Sequence, residues 1–265
     1  MQELTKRVLS GVFFGPCVVA LFYLLPPMFF FLLMALVAIL ATLEFADMSR
    51  TAEKYPITVL SVFSVLPLYW GQLPGYVLWI LLSPAALVGY RILRPPRGDT
   101  PPMNALGRDI VVMLLSQTFI LLPLFTLYRL RELNALFPVI LLLTVWATDT
   151  CAYFVGSRLG KRKLAPAISP KKTVEGLAGA LLGGAILMAI LGGYMGMKPL
   201  ESLMIGGAVG LLGQLGDIFE SVAKRVFAVK DSSALIPGHG GILDRIDSFL
   251  FTTPFVYHYL AGFGG

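Results

Sequence analysis

Acidic and basic residues crowd into one stretch of this otherwise apolar chain, between Gly216 and Asp247. The stretch holds five carboxylates and four cations, and strongly apolar segments lie on either side of it. An ionisable side chain near lipid is costly unless it is paired, hydrated or metal-bound, so the cluster predicts a working site. Its mixture of acids and bases indicates a bound polyanion that is held in part through a metal ion.

Spacing divides the carboxylates of this stretch between two helices. Asp244 and Asp247 would share a face at the start of the last helix, where the positive dipole end favours acids. We predict that Asp217 and Asp244 face each other and bind Mg²⁺, which prefers hard oxygen ligands. The helix before the glycine-rich turn would carry four polar residues on one face: Asp217, Glu220, Ser221 and Lys224.

A glycine-rich turn separates the two acidic groups. Residues 237–241, Pro-Gly-His-Gly-Gly, predict a tight turn whose backbone N–H groups approach a phosphate closely. His239 could serve as a general base, and a structural histidine or a phosphate ligand fits its position equally well. Internal ion pairing of Lys224, Arg225 and Asp231 with the acids is the structural alternative, but pairing alone would not need the glycine turn.

Two further polar groups precede this stretch. Asp149 lies about two turns inside the apolar boundary of a predicted helix, where a functional role is favoured over a purely structural hydrogen bond. In Ser169-Pro170-Lys171-Lys172-Thr173, the proline fixes a turn and Thr173 is placed to cap the following helix. A helix N-terminus beside two lysines predicts a phosphate cradle.

The elements that must position these groups are membrane helices. Of 265 residues, 57% are hydrophobic and 14% charged, and the mean hydropathy is +0.79. Soluble domains carry about 25% charged residues, so we predict an all-α polytopic membrane protein with a cytoplasm-facing polar cavity near its last helices. A span needs about 20 apolar residues. We predict nine spans, at 8–25, 27–46, 57–71, 74–93, 107–128, 134–156, 174–196, 200–222 and 245–262.

Basic residues predict the orientation of these spans. With the N-terminus in the cytoplasm, only Arg129, Arg131 and Lys198 of the 21 Lys and Arg residues would face outwards. The predicted localisation is a bacterial inner membrane, with the polar groups on the cytoplasmic side and the C-terminus outside. The net charge of +6 indicates anionic lipid headgroups and phosphorylated substrates, not nucleic acid, since no basic domain lies outside the membrane.

Composition also divides the chain into three regions. N-terminal packing helices occupy 1–95, a middle membrane region 96–145 and a catalytic membrane region 146–265, with a proline-rich connection over 94–105 as the boundary. Glu44 and Asp47 end the second helix, where a solvated helix end is favoured over a functional role. Dense glycine in the seventh and eighth helices predicts close helix packing.

The motifs together resemble the signature of the CDP-diacylglycerol synthase, or phosphatidate cytidylyltransferase, family. The resemblance is strong over 145–250, and the departures at Cys151, Ala223 and Ser233 remove no ionisable group. The matching motifs are Asp149-Thr150-x-Ala152-Tyr153, Ser169-Pro170-Lys171-Lys172-Thr173-x-Glu175-Gly176, Ser221-x-x-Lys224-Arg225-x-x-x-x-Lys230-Asp231 and Pro237-Gly238-His239-Gly240-Gly241-x-x-Asp244-Arg245-x-Asp247.

The resemblance implies that CTP and phosphatidic acid react to give CDP-diacylglycerol and pyrophosphate. It also implies Mg²⁺, with a second cation, divalent or K⁺, and a homodimer in contact with membrane lipid. The predicted metal ligands are Asp217, Asp244 and Asp149. The predicted catalytic residues are Lys224, Arg225, Asp231, His239 and Asp247. The predicted substrate-binding residues are Ser169, Lys171, Lys172, Thr173, Glu175, Gly240, Gly241 and Arg245.

Three other functions can be weighed against this one. A CTP-dependent enzyme acting on a polyprenol or an ether-linked lipid fits the same helices, but the full signature favours phosphatidate. A CDP-alcohol phosphotransferase would need D-G-x-x-A-R followed by spaced aspartates, a pattern absent from the sequence. A cation transporter could use intramembrane Asp149 and Asp217, but it would not need a lysine-rich loop beside a glycine turn.

Overall fold

Helices make up nearly all of the chain in a computed structural model that describes residues 15–94, 103–233, 235 and 240–263. A π-helical turn, Gln117–Leu121, joins α6 to α7, and a 3₁₀ turn, Gly192–Met195, follows α9. The helices are α1 Gly15–Leu24, α2 Pro27–Met48, α3 Lys54–Phe63, α4 Val65–Tyr69, α5 Leu73–Leu93, α6 Met103–Ser116, α7 Leu122–Leu133, α8 Leu136–Leu159, α9 Val174–Leu191, α10 Pro199–Val226, α11 Leu243–Ile246 and α12 Phe249–Phe263.

Six helical segments in the described part of the chain are long and apolar enough to cross a membrane. They confirm an all-α membrane protein, whereas the count of nine spans stays a prediction. Shorter helices lie at the other three positions: α1, the α3–α4 pair and α12. The break between α3 and α4 precedes Pro67, which has no N–H to donate to the carbonyl of Phe63. The six segments are Pro27–Met48, Leu73–Leu93, Ala105–Leu133, Leu136–Leu159, Val174–Met195 and Pro199–Val226.

A two-stranded hairpin interrupts the helices between α8 and α9, and the sequence analysis did not predict it. β1, Lys163–Ala165, pairs antiparallel with β2, Ser169–Thr173, so that Lys163 lies opposite Thr173. The hairpin delivers Thr173 in extended conformation to the start of α9, where its hydroxyl accepts a hydrogen bond from the Gly176 N–H at 3.1 Å. The predicted helix cap is therefore confirmed.

Glycines bring α8, α9 and α10 into close contact, as their density predicted. A Cβ on Gly206 of α10 would collide with the carbonyl oxygen of Gly184 on α9. A Cβ on Gly183 would lie 2.6 Å from the Cys151 sulfur of α8. The three helix backbones can therefore approach so closely only because these positions carry no side chain.

Polar residues from both halves of the chain meet at one end of the helix bundle. The C-terminal parts of α2, α8 and α10 lie there, together with the N-terminal ends of α9 and α11. Hydrogen bonds join these elements directly: Gln214 of α10 donates to Asp149 of α8, and Ile242 beside α11 donates to Glu44 of α2. We call this region the polar end of the molecule.

Candidate active site

Three carboxylates converge at the centre of the polar end. One carboxylate oxygen from each of Asp217, Glu220 and Asp247 lies within 4.8 Å of the others. Asp217 and Glu220 are three residues apart on α10 and therefore share a face. Asp247 reaches them because Gly216 has no side chain: a Cβ there would collide with the carbonyl oxygen of Asp247. We call these three residues the acidic triad.

Lys224 links the acidic triad to the loop before α11. Its ammonium nitrogen lies 2.5 Å from Glu220 Oε2 and 2.8 Å from Asp244 Oδ1. Glu220 is only 2% exposed, and neither of its carboxylate oxygens accepts a hydrogen bond of good geometry from a described residue. Its close polar contact is therefore the ion pair with Lys224, beside a pocket of about 20 Å³ that is otherwise apolar.

A second lysine approaches the acidic triad from β2. The Lys172 ammonium lies 2.6 Å from Asp217 Oδ2 and donates to the side-chain oxygen of Gln214 at 3.0 Å. The Gln214 amide in turn donates to Asp149 Oδ1 at 3.3 Å. Gln214 thus connects the hairpin, α10 and α8. The sequence analysis missed it, although a buried amide three residues before Asp217 on the same helix was a usable signal.

Asp244 is saturated by protein donors. Its Oδ2 accepts the Ser232 hydroxyl at 3.1 Å, the Ser232 N–H at 3.2 Å and the Gly241 N–H at 2.8 Å, while Oδ1 accepts Lys224. Burial alone would raise the pKa of Asp244, but hydrogen bonding with the Glu220 carboxyl group, with Lys224 and with the Gly241 N–H outweighs it and holds the pKa well below its ordinary value. Asp244 is therefore a charged anchor for Lys224.

Asp247 has the opposite electrostatic setting. It accepts a hydrogen bond from the Ser248 N–H at 2.8 Å. One of its oxygens lies within 4.8 Å of oxygens of Asp217 and Glu220, so Asp247 faces negative charge where Asp244 faces an ammonium group. A cation beside the acidic triad would favour its charged form.

Glu44 is buried at the polar end, and the expectation of a solvated helix end was wrong for this residue. It is 6% exposed, and both of its oxygens accept hydrogen bonds from the loop that precedes α11. The loop covers the end of α2, which hydropathy along the chain cannot reveal. Asp47, one turn further on, does lie in solvent: its side chain is 58% exposed and pairs with Lys54 at 2.8 Å.

Several predicted substrate-binding and catalytic residues surround this centre. Glu175 accepts backbone N–H groups of Lys161 and Arg162, so it braces the hairpin against α9. The Arg225 guanidinium donates to the Ile168 carbonyl at 3.2 Å. Ser169 lies half-buried in β2, and four predicted residues are exposed or border Asp244: Lys171, Asp231, Arg245 and Gly240.

The glycine turn is described only in part. Gly240 has a φ of +79° and Gly241 donates to Asp244, so the end of the turn approaches that carboxylate closely. His239, with Pro237 and Gly238, lies outside the described residues. The roles predicted for His239 therefore remain predictions.

Charge decides what this arrangement can do. Five carboxylates meet two ammonium groups at the centre of the polar end, and so the acids exceed the cations that pair with them. Ion pairing within the protein leaves a formal excess of negative charge, which a divalent cation would offset in large part. The two lysines are the groups that would bind phosphate oxygens once a cation occupied the carboxylates. The residues concerned are Asp149, Asp217, Glu220, Asp244, Asp247, Lys172 and Lys224.

Comparison with known proteins agrees with the motifs. A model of the cytidylyltransferase family matches residues 5–263. A phosphatidate cytidylyltransferase of Bacillus subtilis is 52% identical over 121 residues, which are 45% of this chain and 45% of the relative. One of Staphylococcus saprophyticus is 41% identical over 148 residues, 55% of this chain and 57% of the relative. One of Synechocystis is 45% identical over 133 residues, 47% and 45% of the two chains.

The chain spans about half the length of the curated relatives it matches. The family model, in contrast, extends from the residues before α1 to the end of α12. It therefore includes the acidic triad, both lysines and the hairpin that positions Lys172. On this match the family that the motifs resemble is confirmed: the chain belongs to the cytidylyltransferase family.

Proposed function

We propose that this protein transfers the cytidylyl group of CTP to phosphatidic acid, giving CDP-diacylglycerol and pyrophosphate. The observation that carries the proposal is the acidic triad with two lysines, placed at one end of a membrane-helix bundle of this family. Relatives named phosphatidate cytidylyltransferase support the choice of nucleotide and lipid. The bundle end is a suitable place for the reaction because one substrate is a lipid and the other is water-soluble.

The proposed reaction is an in-line displacement at phosphorus. A phosphatidate oxygen forms a bond to the α-phosphorus of CTP, the bond from that phosphorus to the β-phosphate oxygen breaks, and pyrophosphate leaves with the electron pair. The phosphate monoester is already anionic near neutral pH, so the attacking oxygen needs no dedicated general base. The demand on the protein is to position two polyanions and to offset their charge.

Lys172 and Lys224 are the groups proposed to bind the phosphates. Each is at least half-buried and lies against carboxylates of the acidic triad, so its ammonium group points into the site. The side-chain oxygen of Gln214 accepts a hydrogen bond from Lys172 and holds its ammonium group in place. Asp244 Oδ1 accepts one from Lys224 with the same effect. Lys171, Arg225 and Arg245 are proposed to attract the nucleotide by charge from the rim of the site, where they are exposed.

The residues fit a divalent cation. Three carboxylate oxygens from separate side chains lie close together, and the buried Oε1 of Glu220 has no hydrogen-bond partner among the described residues. Asp217, Glu220 and Asp247 are the proposed ligands, and Asp149 and Asp244, expected as ligands from the sequence, are proposed to hold Gln214 and Lys224. Mg²⁺ bound there would offset the negative charge that gathers on the phosphates. A second cation, divalent or K⁺, stays part of the proposal.

The site is proposed to face the cytoplasm, where CTP is available. The exposed cations of the hairpin and of the end of α10 lie at the same end of the molecule as the acidic triad, as a cytoplasmic orientation requires. Nine spans, an N-terminus inside, a polar cavity and a homodimer in the bacterial inner membrane complete the proposal. Labelling of a single cysteine introduced at Lys171 from either side of sealed vesicles tests the orientation.

The test of the function is conversion of phosphatidic acid to CDP-diacylglycerol by the purified protein, dependent on CTP and Mg²⁺. Asp217→Asn is the test variant, and Asp47→Asn is its control because it changes an exposed carboxylate. Product from the parent and the control, with near-complete loss in Asp217→Asn, supports both reaction and site. Full activity in Asp217→Asn would remove the acidic triad from the mechanism. A folded parent that forms no product at saturating substrates would turn the search to polyprenol or ether-linked lipids, and then to transport.

A further inference from the structure

Glu44, from the N-terminal half of the chain, is buried at the polar end and accepts as many hydrogen bonds as Asp244 does. Glu44 Oε1 accepts the Ser233 hydroxyl at 2.7 Å and the Ile242 N–H at 2.9 Å. Glu44 Oε2 accepts the Leu243 N–H at 2.9 Å and lies 3.2 Å from the Ser232 hydroxyl, whose one proton it shares with Asp244 Oδ2. Four donors from a single loop thus converge on one side chain of α2.

These hydrogen bonds lead directly to the lysine of the site. The Ser232 hydroxyl lies between Glu44 Oε2, at 3.2 Å, and Asp244 Oδ2, at 3.1 Å. Asp244 holds Lys224 at 2.8 Å. The backbone bonds from Ile242 and Leu243 fix the start of α11, the short helix that carries Asp244. Glu44 is therefore connected to Lys224 both through a side chain and through the backbone.

Close packing also holds the end of α2 in this region. A Cβ on Gly241 would lie 2.5 Å from Glu44 Oε2, so the backbone of Gly241 lies directly against the carboxylate. Phe45, the next residue of α2, packs edge-on against Phe227 at the end of α10, with ring centroids 6.0 Å apart. The end of α2 is thus packed against α10 and against the loop that carries Asp244.

We propose that Glu44 is a positioning residue for the cytidylyl transfer: it fixes residues 232–233 and 242–243, and through Ser232 and Asp244 it sets the position of Lys224. The proposal rests on the proposed function and extends it to a residue outside the region of strong family resemblance. A carboxylate suits the task because each of its oxygens accepts one backbone N–H and one hydroxyl. Asp47, on the same helix but in solvent, makes none of these bonds.

Glu44→Gln is the most pointed variant. A glutamine amide has one oxygen, so whichever way it turns its NH₂ group faces the N–H of either Ile242 or Leu243. The size of the side chain is kept, and Asp47→Asn is the matched control. We expect kcat to fall about 10- to 100-fold in Glu44→Gln, as for the loss of one or two buried charge-assisted hydrogen bonds, with Asp47→Asn within about twofold of the parent.

Hydrogen exchange of the full-length protein in detergent gives a measurement that needs no activity. Peptides covering 240–246 should exchange at least about 10-fold faster in Glu44→Gln than in the parent, and unchanged in Asp47→Asn. Unchanged exchange and unchanged kcat in Glu44→Gln would overturn the proposal. Faster exchange with parental kcat would leave Glu44 a structural role and likewise overturn the positioning role. A parent without transferase activity would contradict the proposed function, while the exchange result would still test the bonds to Glu44.

If Glu44→Gln fails to fold, Ser232→Ala tests the connection from Glu44 through Ser232 and Asp244 to Lys224. It removes the hydroxyl between Glu44 and Asp244 and leaves the two backbone bonds to Glu44 in place. We expect a lower kcat with unchanged exchange over 240–246. In the double variant the losses should not add, because both residues act on Lys224 through Asp244. Parental kcat in Ser232→Ala, or additive losses in the double variant, would contradict the link.

Discussion

Each half of the chain buries a carboxylate beside a cation, and the two pairs have different surroundings. In the N-terminal half, Asp109 is fully buried with Arg91 at 2.7 Å. Glu53 and Arg108 lie at the edge of this pair, so acids and cations balance. In the C-terminal half, Glu220 is also buried beside Lys224, but three further carboxylates, those of Asp217, Asp244 and Asp247, lie against this pair, with Lys172 as the one further cation among the described contacts.

The difference separates a pair that stabilises structure from a group prepared for a ligand. A balanced pair such as Asp109–Arg91 needs no further charge, and breaking it leaves an uncompensated ion. An acidic group with too few cations is electrostatically unfavourable until something positive binds. The imbalance of charge, and not burial alone, therefore distinguishes Glu220 in the proposed site from Asp109.

The two halves of the chain also differ in how closely their helices pack. Glycines bring α8, α9 and α10 so close that short side chains such as Asp149 and Gln214 reach each other across helices. The N-terminal helices pack through larger side chains and leave an apolar cavity of about 180 Å³ between α2, α4 and α7. The C-terminal half thus has the precise backbone spacing that a site requires.

The largest expected effect comes from neutralising the two buried carboxylates in turn. Glu220→Gln should lower kcat about 1,000-fold, roughly 4 kcal/mol of transition-state stabilisation, and change stability by less than about 1 kcal/mol because the acidic excess falls. Asp109→Asn should cost about 3–5 kcal/mol of stability and leave kcat per folded molecule unchanged. Transferase assays and thermal unfolding in detergent measure both. A kcat effect in Asp109→Asn matching that of Glu220→Gln would erase the distinction between the two pairs.

Gly206→Ala tests the contrast in packing. The added Cβ would collide with the Gly184 carbonyl, so we expect a loss of about 3 kcal/mol in stability. Gly207→Ala is the matched control, since its Cβ would meet only the Leu181 carbonyl, 4.0 Å away. Alanine there should be neutral or stabilising by up to about 1 kcal/mol. Equal unfolding temperatures for the two variants would disprove the close approach of α9 and α10.

Two buried glutamines provide a finer comparison. Gln214→Leu should lower kcat about 10-fold or more, because Lys172 and Asp149 lose their common partner. Gln117→Leu removes the hydrogen bond to Ser83 in the N-terminal half and should lower stability by about 1–2 kcal/mol with kcat unchanged. Kinetics at saturating CTP and thermal unfolding separate the two outcomes. Parental kcat in Gln214→Leu would show that Lys172 needs no support.

The smallest effect is expected in the N-terminal cavity. Ala38 is buried and lines it, so Ala38→Val adds two methyl groups to empty space. Stability should stay within about 1 kcal/mol of the parent or rise, and kcat should not change. A loss of more than about 2 kcal/mol on thermal unfolding would show that the cavity collapses, and the N-terminal half would then be as tightly packed as the C-terminal half.

Much of the fold and of the family assignment could be predicted from the sequence because the signals are local. Apolar runs of helix-spanning length indicate membrane helices wherever they occur. The capping role of Thr173 and the shared face of Asp217 and Glu220 follow from spacing along one segment. Close helix packing follows from glycine density, and the charged stretch between Gly216 and Asp247 does lie at the proposed site. The hairpin over 163–173 was missed because its strands are short and carry no apolar alternation.

The tertiary structure alone decided which of these groups meet. Asp217 joins Asp247 because Gly216 allows the backbone of that residue to approach, whereas Asp244, the expected partner, turns to Lys224 and Ser232. Glu44 and Ile242 are 198 residues apart in the chain, and no periodicity within either segment reports their hydrogen bond. Sequence by itself determined the helices, the family and the residue types of the site. Which hydrogen-bond partner each carboxylate has depended on how the helix ends came together, since a carboxylate accepts from whichever donor the fold brings within about 3 Å.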